Sequence, residues 1–204
     1  MFESSKDDKN EILQKKIGRR DLLIASGCAL VGLAWWRFEA LESAHAEPQP
    51  PPAPKMVTLI EFTDSGERKG VVKVLTIEKT EAEWKKQLPR DSFEVTRHAD
   101  TERPFSGALL NIHDKGVFRC ICCDTALYNS ATKFESGTGW PSFWAPIAKE
   151  NVLEITDTTL GMVRTAVNCG RCNAHTGHVF DDGPRPTGLR YCMNSVALRF
   201  AKAT

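Results

Sequence analysis

The chain has 204 residues, 41% of them hydrophobic, and a formal net charge of +1. That is enough for one globular domain plus an appendage. Seven Lys/Arg and seven Asp/Glu cancel within residues 1–46, so the body also carries only +1 (20 minus 19), and it lacks the basic field of a nucleic-acid binder.

Residues 1–21 are polar, carry six basic side chains and include the pair Arg19-Arg20. An apolar run of about 15 residues follows from Leu22 to Trp36, short of the roughly 20 that span a bilayer. Ser43-Ala44-His45-Ala46 then offers small residues to a signal peptidase. Twin arginines directly before an apolar run resemble a twin-arginine export signal over 1–46. The expected localisation is therefore exported and periplasmic, with the export machinery as partner and only transient membrane contact. The alternative is an uncleaved membrane anchor, with Trp35-Trp36-Arg37 at the interface. Cys28 falls inside this segment and leaves with a cleaved signal.

Residues 47–56 read as a Pro-rich extended linker. Residues 57–77 hold two apolar stretches, 57–62 and 71–77, around the turn signal Asp64-Ser65-Gly66, and predict an N-terminal hairpin extension. Thr80 and Glu83 make a capping box ahead of Trp84 and Leu88, and Pro89 ends that helix. A second short helix is expected over 91–97. Beyond Pro104 the helical period fades. Short strand-like runs replace it at 117–119, 133–135, 162–167, 178–180, 189–193 and 197–200, punctuated by Gly and Pro. The fold expected over 78–204 is mainly β: an antiparallel sheet domain with a small helical N-terminal cap and a structural zinc site.

The chain contains seven cysteines. Cys120, Cys123, Cys169 and Cys172 form two CxxC knuckles about 45 residues apart. Each knuckle turns its sulfurs toward one point, and four thiolates suit a tetrahedral Zn²⁺. At this separation the metal would clip distant parts of one domain. Two disulfides, or a thioredoxin-type redox pair, are the alternatives. A four-sulfur zinc has no open coordination position, so its role would be structural.

Cys122 and Cys192 remain. If Leu189–Met193 is a strand, Arg190, Cys192 and Asn194 share a face, and a cation beside the thiol favours the thiolate. His175 and His178, three apart and followed by Phe180 and Asp182, supply imidazoles upstream of that face. Ser136–Phe143 brings glycines and Trp140, an apolar wall for a methyl group or a sulfur. Taken singly, each of these residues has a plain structural reading: Cys192 as a core thiol, the histidines as loop ties, Trp140 as an anchor.

Together, Thr101–Gly107, Ser136–Phe143, the paired knuckles, His175–Pro184 and Arg190–Ser195 resemble the B-type peptide methionine sulfoxide reductases over roughly residues 78–201. The resemblance implies a β-rich fold with a zinc site remote from the active site, and reduction of methionine-R-sulfoxide, free or in proteins. It implies Cys192 as nucleophile with His175, His178, Arg190 and Asn194 around it, and Trp140 and Phe180 at the substrate. Relatives often carry a resolving cysteine where this chain has Thr138. A thioredoxin-like or small-thiol reductant is therefore expected to act directly, with Cys122 as the internal alternative. A non-catalytic zinc-dependent interaction module and a thiol-disulfide oxidoreductase are the competing classes of function.

Overall fold

A computed structural model describes residues 50–158, 161 and 163–204. The export signal, Cys28 and the first three residues of the linker lie outside the described residues. Among the described residues no helix is long and apolar enough to cross a membrane.

The N-terminal extension forms a hairpin of β1 (Met56–Phe62) and β2 (Arg68–Leu75), paired antiparallel with Met56 opposite Leu75. Gly66 closes its turn at φ +89°, a left-handed conformation that a side chain would strain. The hairpin is bound to the body through Asn151, which is fully buried. The Asn151 amide accepts from the Ile60 N–H at 2.8 Å and donates to the Ile60 and Ala126 carbonyls, both at 2.8 Å. One side-chain amide thus mimics a strand partner, and no backbone group of Ile60 is stranded. Arg119 adds a bond to the Phe62 carbonyl and a pair with Asp64.

Helix α1 (Glu81–Gln87) starts as its sequence dictates: the Thr80 hydroxyl accepts from the Glu83 N–H while the Glu83 carboxylate accepts from the Thr80 N–H. It stops at Leu88, whose extended backbone suits the residue before a proline. Helix α2 (Arg90–His98) begins directly after Pro89 and buries Phe93 and Val95.

The remainder is antiparallel sheet. Six strands run in the order β5 (Lys133–Phe134), β6 (Ser142–Phe143), β10 (Arg190–Met193), β9 (His175–Phe180), β8 (Arg164–Cys169) and β7 (Val152–Asp157). Three more form β11 (Leu198–Lys202), β3 (Gly116–Cys120) and β4 (Ala126–Asn129). Aromatic rings join the two sheets. Phe143 of the large sheet stacks on Tyr128 at 4.4 Å and meets Phe118 edge-on at 4.9 Å, and all three are fully buried. The mainly β architecture and both helices agree with the sequence reading. Strands β4, β6 and β7 were not expected from it, and the expected 162–167 run is observed as Arg164–Cys169. Strand ends are set by the partner across the ladder, here the six pairs from Val152↔Cys169 to Asp157↔Arg164.

Candidate functional site

The four knuckle cysteines converge. Strand β3 ends on Cys120 and β8 ends on Cys169, so each sheet delivers one knuckle. Each knuckle is closed by the same pair of backbone bonds: Cys120 N–H to Thr125 O and Asp124 N–H to Cys120 O, matched by Cys169 N–H to Ala174 O and Asn173 N–H to Cys169 O. Each is followed by a left-handed residue, Asp124 at φ +66° and Asn173 at φ +53°, the non-glycine types that tolerate that conformation best. The four sulfurs lie within 4.8 Å of one another, with Cys120–Cys172 at 3.6 Å and Cys123–Cys169 at 3.4 Å. Four thiolates on one tetrahedral ion, with metal–sulfur bonds of about 2.3 Å, stand about 3.8 Å apart. The set therefore fits a four-coordinate metal ion and is far from the roughly 2.05 Å of a disulfide. Arg97 of α2 donates twice to the Cys172 carbonyl at 3.1 Å, and Gln87 of α1 donates to the Cys122 carbonyl. The helical cap is thereby tied to both knuckles.

The second cluster centres on β10. Cys192 lies opposite Ser142 of β6 on one side and His178 of β9 on the other, and Arg190 lies opposite Phe180. Directly paired residues share a face, so Arg190, Cys192, Ser142, His178 and Phe180 are brought together. Gly177 makes the close approach of β9 possible, because a Cβ there would sit 2.1 Å from the Cys192 carbonyl oxygen. The Arg190 guanidinium is locked. It makes two 2.8 Å bonds to the Asp182 carboxylate and lies over the Phe180 ring at 4.4 Å. Phe180 therefore acts as the platform for Arg190. Asp182 in turn titrates below the ordinary carboxylate range, held there chiefly by its bonds to Arg190.

One expectation is corrected here. Arginine does favour the Cys192 thiolate, but burial outweighs it, and the thiol is pushed up despite the opposing pull of Thr138, Arg190 and Ser142. Asn194 follows the last strand residue in still-extended backbone (φ −73°, ψ 127°), its N–H bonded to the Thr176 carbonyl at 2.8 Å. The strand ends at Met193, whose N–H bonds to the Pro141 carbonyl, and the chain turns into a 3₁₀ segment with Asn194 as its cap. The buried Asn194 amide accepts from the Glu102 N–H at 3.0 Å and donates to the Thr176 carbonyl at 3.3 Å, so it braces loops.

His175 and His178 meet edge-to-face at 5.1 Å. Asn173 fixes the orientation of the Asn168 amide, whose oxygen then accepts from His175 Nδ1 at 3.3 Å. That leaves His175 Nε2 buried, unprotonated and without a partner in the described structure. Burial, with His178 adding to it, pushes the His175 pKa down to about 4, so the ring is neutral. His178 donates from Nε2 to Asp157 at 2.9 Å, and Asp157 also pairs with Arg164 at 2.8 Å. Asp157 and Arg164 face each other as the last pair of the β7–β8 ladder.

Trp140 is half-buried and donates from Nε1 to the Glu102 carbonyl at 3.1 Å. The Glu102 carboxylate accepts from the N–H groups of Ser195 and Val196 at 2.7 and 3.0 Å. Glu102 thus ties the tryptophan loop to the chain just after Cys192. Glu102, Asp157, Arg164 and Ser142 were not singled out from the sequence. A half-buried carboxylate on a loop leaves no periodic trace, and β7 was not expected as a strand.

Fold and site together define a β-sheet domain with a four-cysteine cluster that could hold one metal ion and a separate, partly exposed thiol among basic and imidazole groups. Residues 88–202 match the SelR domain model, which covers more than half of the chain. Similar curated proteins include peptide methionine sulfoxide reductase MsrB of Pseudomonas fluorescens (strain Pf0-1), 57% identical over 122 residues, 60% of this chain and 93% of that protein. The protein of the same name from Herminiimonas arsenicoxydans is 53% identical over 122 residues, 60% of this chain and 89% of its own length. That from Hahella chejuensis is 50% identical over 127 residues, 62% and 91%. The chain belongs to this SelR, or MsrB, family.

Proposed function

We propose that this protein is a peptide-methionine (R)-S-oxide reductase acting through Cys192. One observation carries the reading. Among the described residues, Cys192 is the only cysteine that is neither in the metal cluster nor buried, and it stands among His178, the Arg190–Asp182 pair and the tryptophan loop.

The Cys192 thiolate attacks the sulfoxide sulfur. A histidine, His178 braced by Asp157, protonates the oxygen. Oxygen passes to Cys192, methionine leaves, and Cys192 is left as a sulfenic acid. One external thiol condenses with it, releasing water and forming a mixed disulfide. A second thiol restores Cys192 and departs as the oxidised disulfide. Trp140 walls the methyl side of the site. Thr138 stands near Cys192, its Oγ1 3.8 Å from Sγ, where relatives hold a second thiol. The Cys122 sulfur is buried and turned to Thr96 at 3.4 Å. Both features favour an external reductant, thioredoxin-like or a small thiol.

The tetrathiolate set suits Zn²⁺, which would clip the two sheets and the helical cap with no open position for chemistry. We further propose that residues 1–46 address the domain for export, so that it repairs oxidised methionine outside the cytoplasm. The arginine pair, the short apolar run and the small-residue cleavage site support this.

The test is an epimer-resolved assay: full-chain, metal-loaded protein, both methionine sulfoxide epimers and dithiothreitol, with Cys192→Ser in parallel. Loss of the R epimer alone, absent in the variant, is expected. Folded, metal-loaded protein that consumes neither epimer would refute the reading.

A further inference from the structure

The sulfur of Cys192 is the first member of a chain of hydroxyl groups whose direction can be worked out. Thr138 Oγ1 lies 3.8 Å from Cys192 Sγ. Ser136 Oγ lies 2.8 Å from Thr138 Oγ1 and 2.7 Å from Ser142 Oγ. Ser142 Oγ lies 3.1 Å from the Trp140 carbonyl. A carbonyl can only accept, so the Ser142 proton, when it lies on the Trp140 oxygen, is withheld from the Cys192 sulfur, which Ser142 also reaches. Ser136 must then donate to Ser142. Thr138 must donate to Ser136, whose oxygen also accepts from the Thr138 N–H at 3.4 Å. With its own proton committed, Thr138 can only accept from sulfur.

In that arrangement the resting chain runs from S–H through Thr138, Ser136 and Ser142 to a backbone oxygen. This polarity matches a nucleophile stored as a thiol. The chain ends on a carbonyl, so it cannot carry the proton away. It can only reverse.

We propose that Thr138 is a catalytic residue that serves Cys192 in both protonation states, accepting the S–H bond in the resting site and turning its own hydroxyl onto the sulfur when the thiolate forms, with Ser136 holding it in the first orientation. This rests on Cys192 being the nucleophile. The other charged and titratable groups around the sulfur are Arg190 with Asp182 behind it, and His178 with Asp157 and His175 behind it. Of these, Arg190 reaches the Cys192 sulfur itself, whereas the hydroxyls of Thr138, Ser136 and Ser142 bond one another. Donation to a thiolate is charge-assisted and stronger than acceptance from a thiol, so the net effect of Thr138 favours the thiolate. Ser136 restrains that effect by competing for the same proton.

The two residues therefore predict shifts of opposite sign, which a general loosening of the loop does not produce. The measurement is the rate of Cys192 alkylation by iodoacetamide against pH, read on the Cys192 peptide by mass spectrometry. It uses the full-chain, metal-loaded protein without substrate. In Thr138→Val the midpoint should rise by about one pH unit, with alkylation near neutrality about tenfold slower. Thr138→Ser should restore the profile. In Ser136→Ala the Thr138 proton is released to the sulfur, and the midpoint should fall. Coincident profiles, or midpoints moving the same way in Thr138→Val and Ser136→Ala, would overturn the proposal. A variant that loses its metal or melts early is replaced by Thr138→Ala, held to the same expected rise. Because no sulfoxide is present, the outcome is independent of the epimer assay.

Discussion

The two cysteine sites are built in opposite ways. The metal cluster is made of two local, nearly congruent turns, each a strand end, a CxxC, a left-handed Asp or Asn and the same two backbone bonds. The Cys192 site is made of residues from separate places: β6 and the loop before it, β7, β9, β10 and the loop at 101–107. The first is specified within six residues at a time. The second exists only once the six-stranded sheet has its register. The difference teaches that stability and chemistry are assigned to different kinds of structure here, and mutations should separate them.

The largest separation should come from the cluster itself. Removing the metal with a chelator, or making Cys169→Ser, should unfold the domain at ambient temperature. Structural tetrathiolate ions contribute on the order of 10 kcal/mol to folding, and an ion on these four cysteines would join both sheets and the cap. Circular dichroism against added chelator reads it, and a cooperative fold that persists without metal would break the comparison. Cys192→Ser should do the reverse. Activity should fall roughly a thousandfold or more, as for loss of a covalent nucleophile, while the melting temperature stays within a few degrees.

What could be read in advance follows the same division. The knuckles, the Thr80–Glu83 capping box and the Pro89 boundary are local statements, and each is observed where the residues place it. Cys192, Arg190 and His178 were legible because alternate residues of a strand share a face. The strand itself stops at Met193, one residue before Asn194, where the Pro141 carbonyl and the turn at Ser195 take over. No run of residues announces that ending. Strand β6 is two residues in a glycine-rich loop, and β7 keeps only Val152 buried, so neither shows a usable alternation. Asp157 and Arg164 therefore escaped notice, although they are paired across a ladder. Glu102 escaped for a related reason: the partners of its carboxylate lie more than 90 positions away.

A subtler test uses His175, where the chemical site meets stability. Burial lowers its pKa from 6.5 to about 4 in the fold. The unfolded chain then binds a proton that the fold refuses. The stability from this group is complete above about pH 6.5 and is lost as pH falls toward 4. The full effect is about 3 kcal/mol, and His175 is only 5% exposed. Denaturant midpoints should fall through that window, and His175→Gln should flatten the fall. An equal slope in the variant would assign the acid sensitivity to carboxylates and detach His175 from the stability of the sheet.

The smallest expected effect probes whether the chemical site depends on its second layer as the cluster depends on its first. Asp157 holds the His178 ring through Nε2 and is itself held by Arg164, with side chains only 14% and 12% exposed at Asp157 and His178. Asp157→Asn keeps the shape and an acceptor oxygen but removes the charge and allows the amide to present hydrogens to the ring. The wrong tautomer or orientation of His178 then becomes available, which impairs proton delivery to the departing oxygen and leaves the walls of the site in place. Turnover should therefore drop about 10- to 100-fold with KM little changed. A KM effect without loss of turnover would make the Asp157–Arg164 pair a support of the substrate wall. Loss of the fold would place it with the knuckles, and the division between the two sites would have to be redrawn one strand further in.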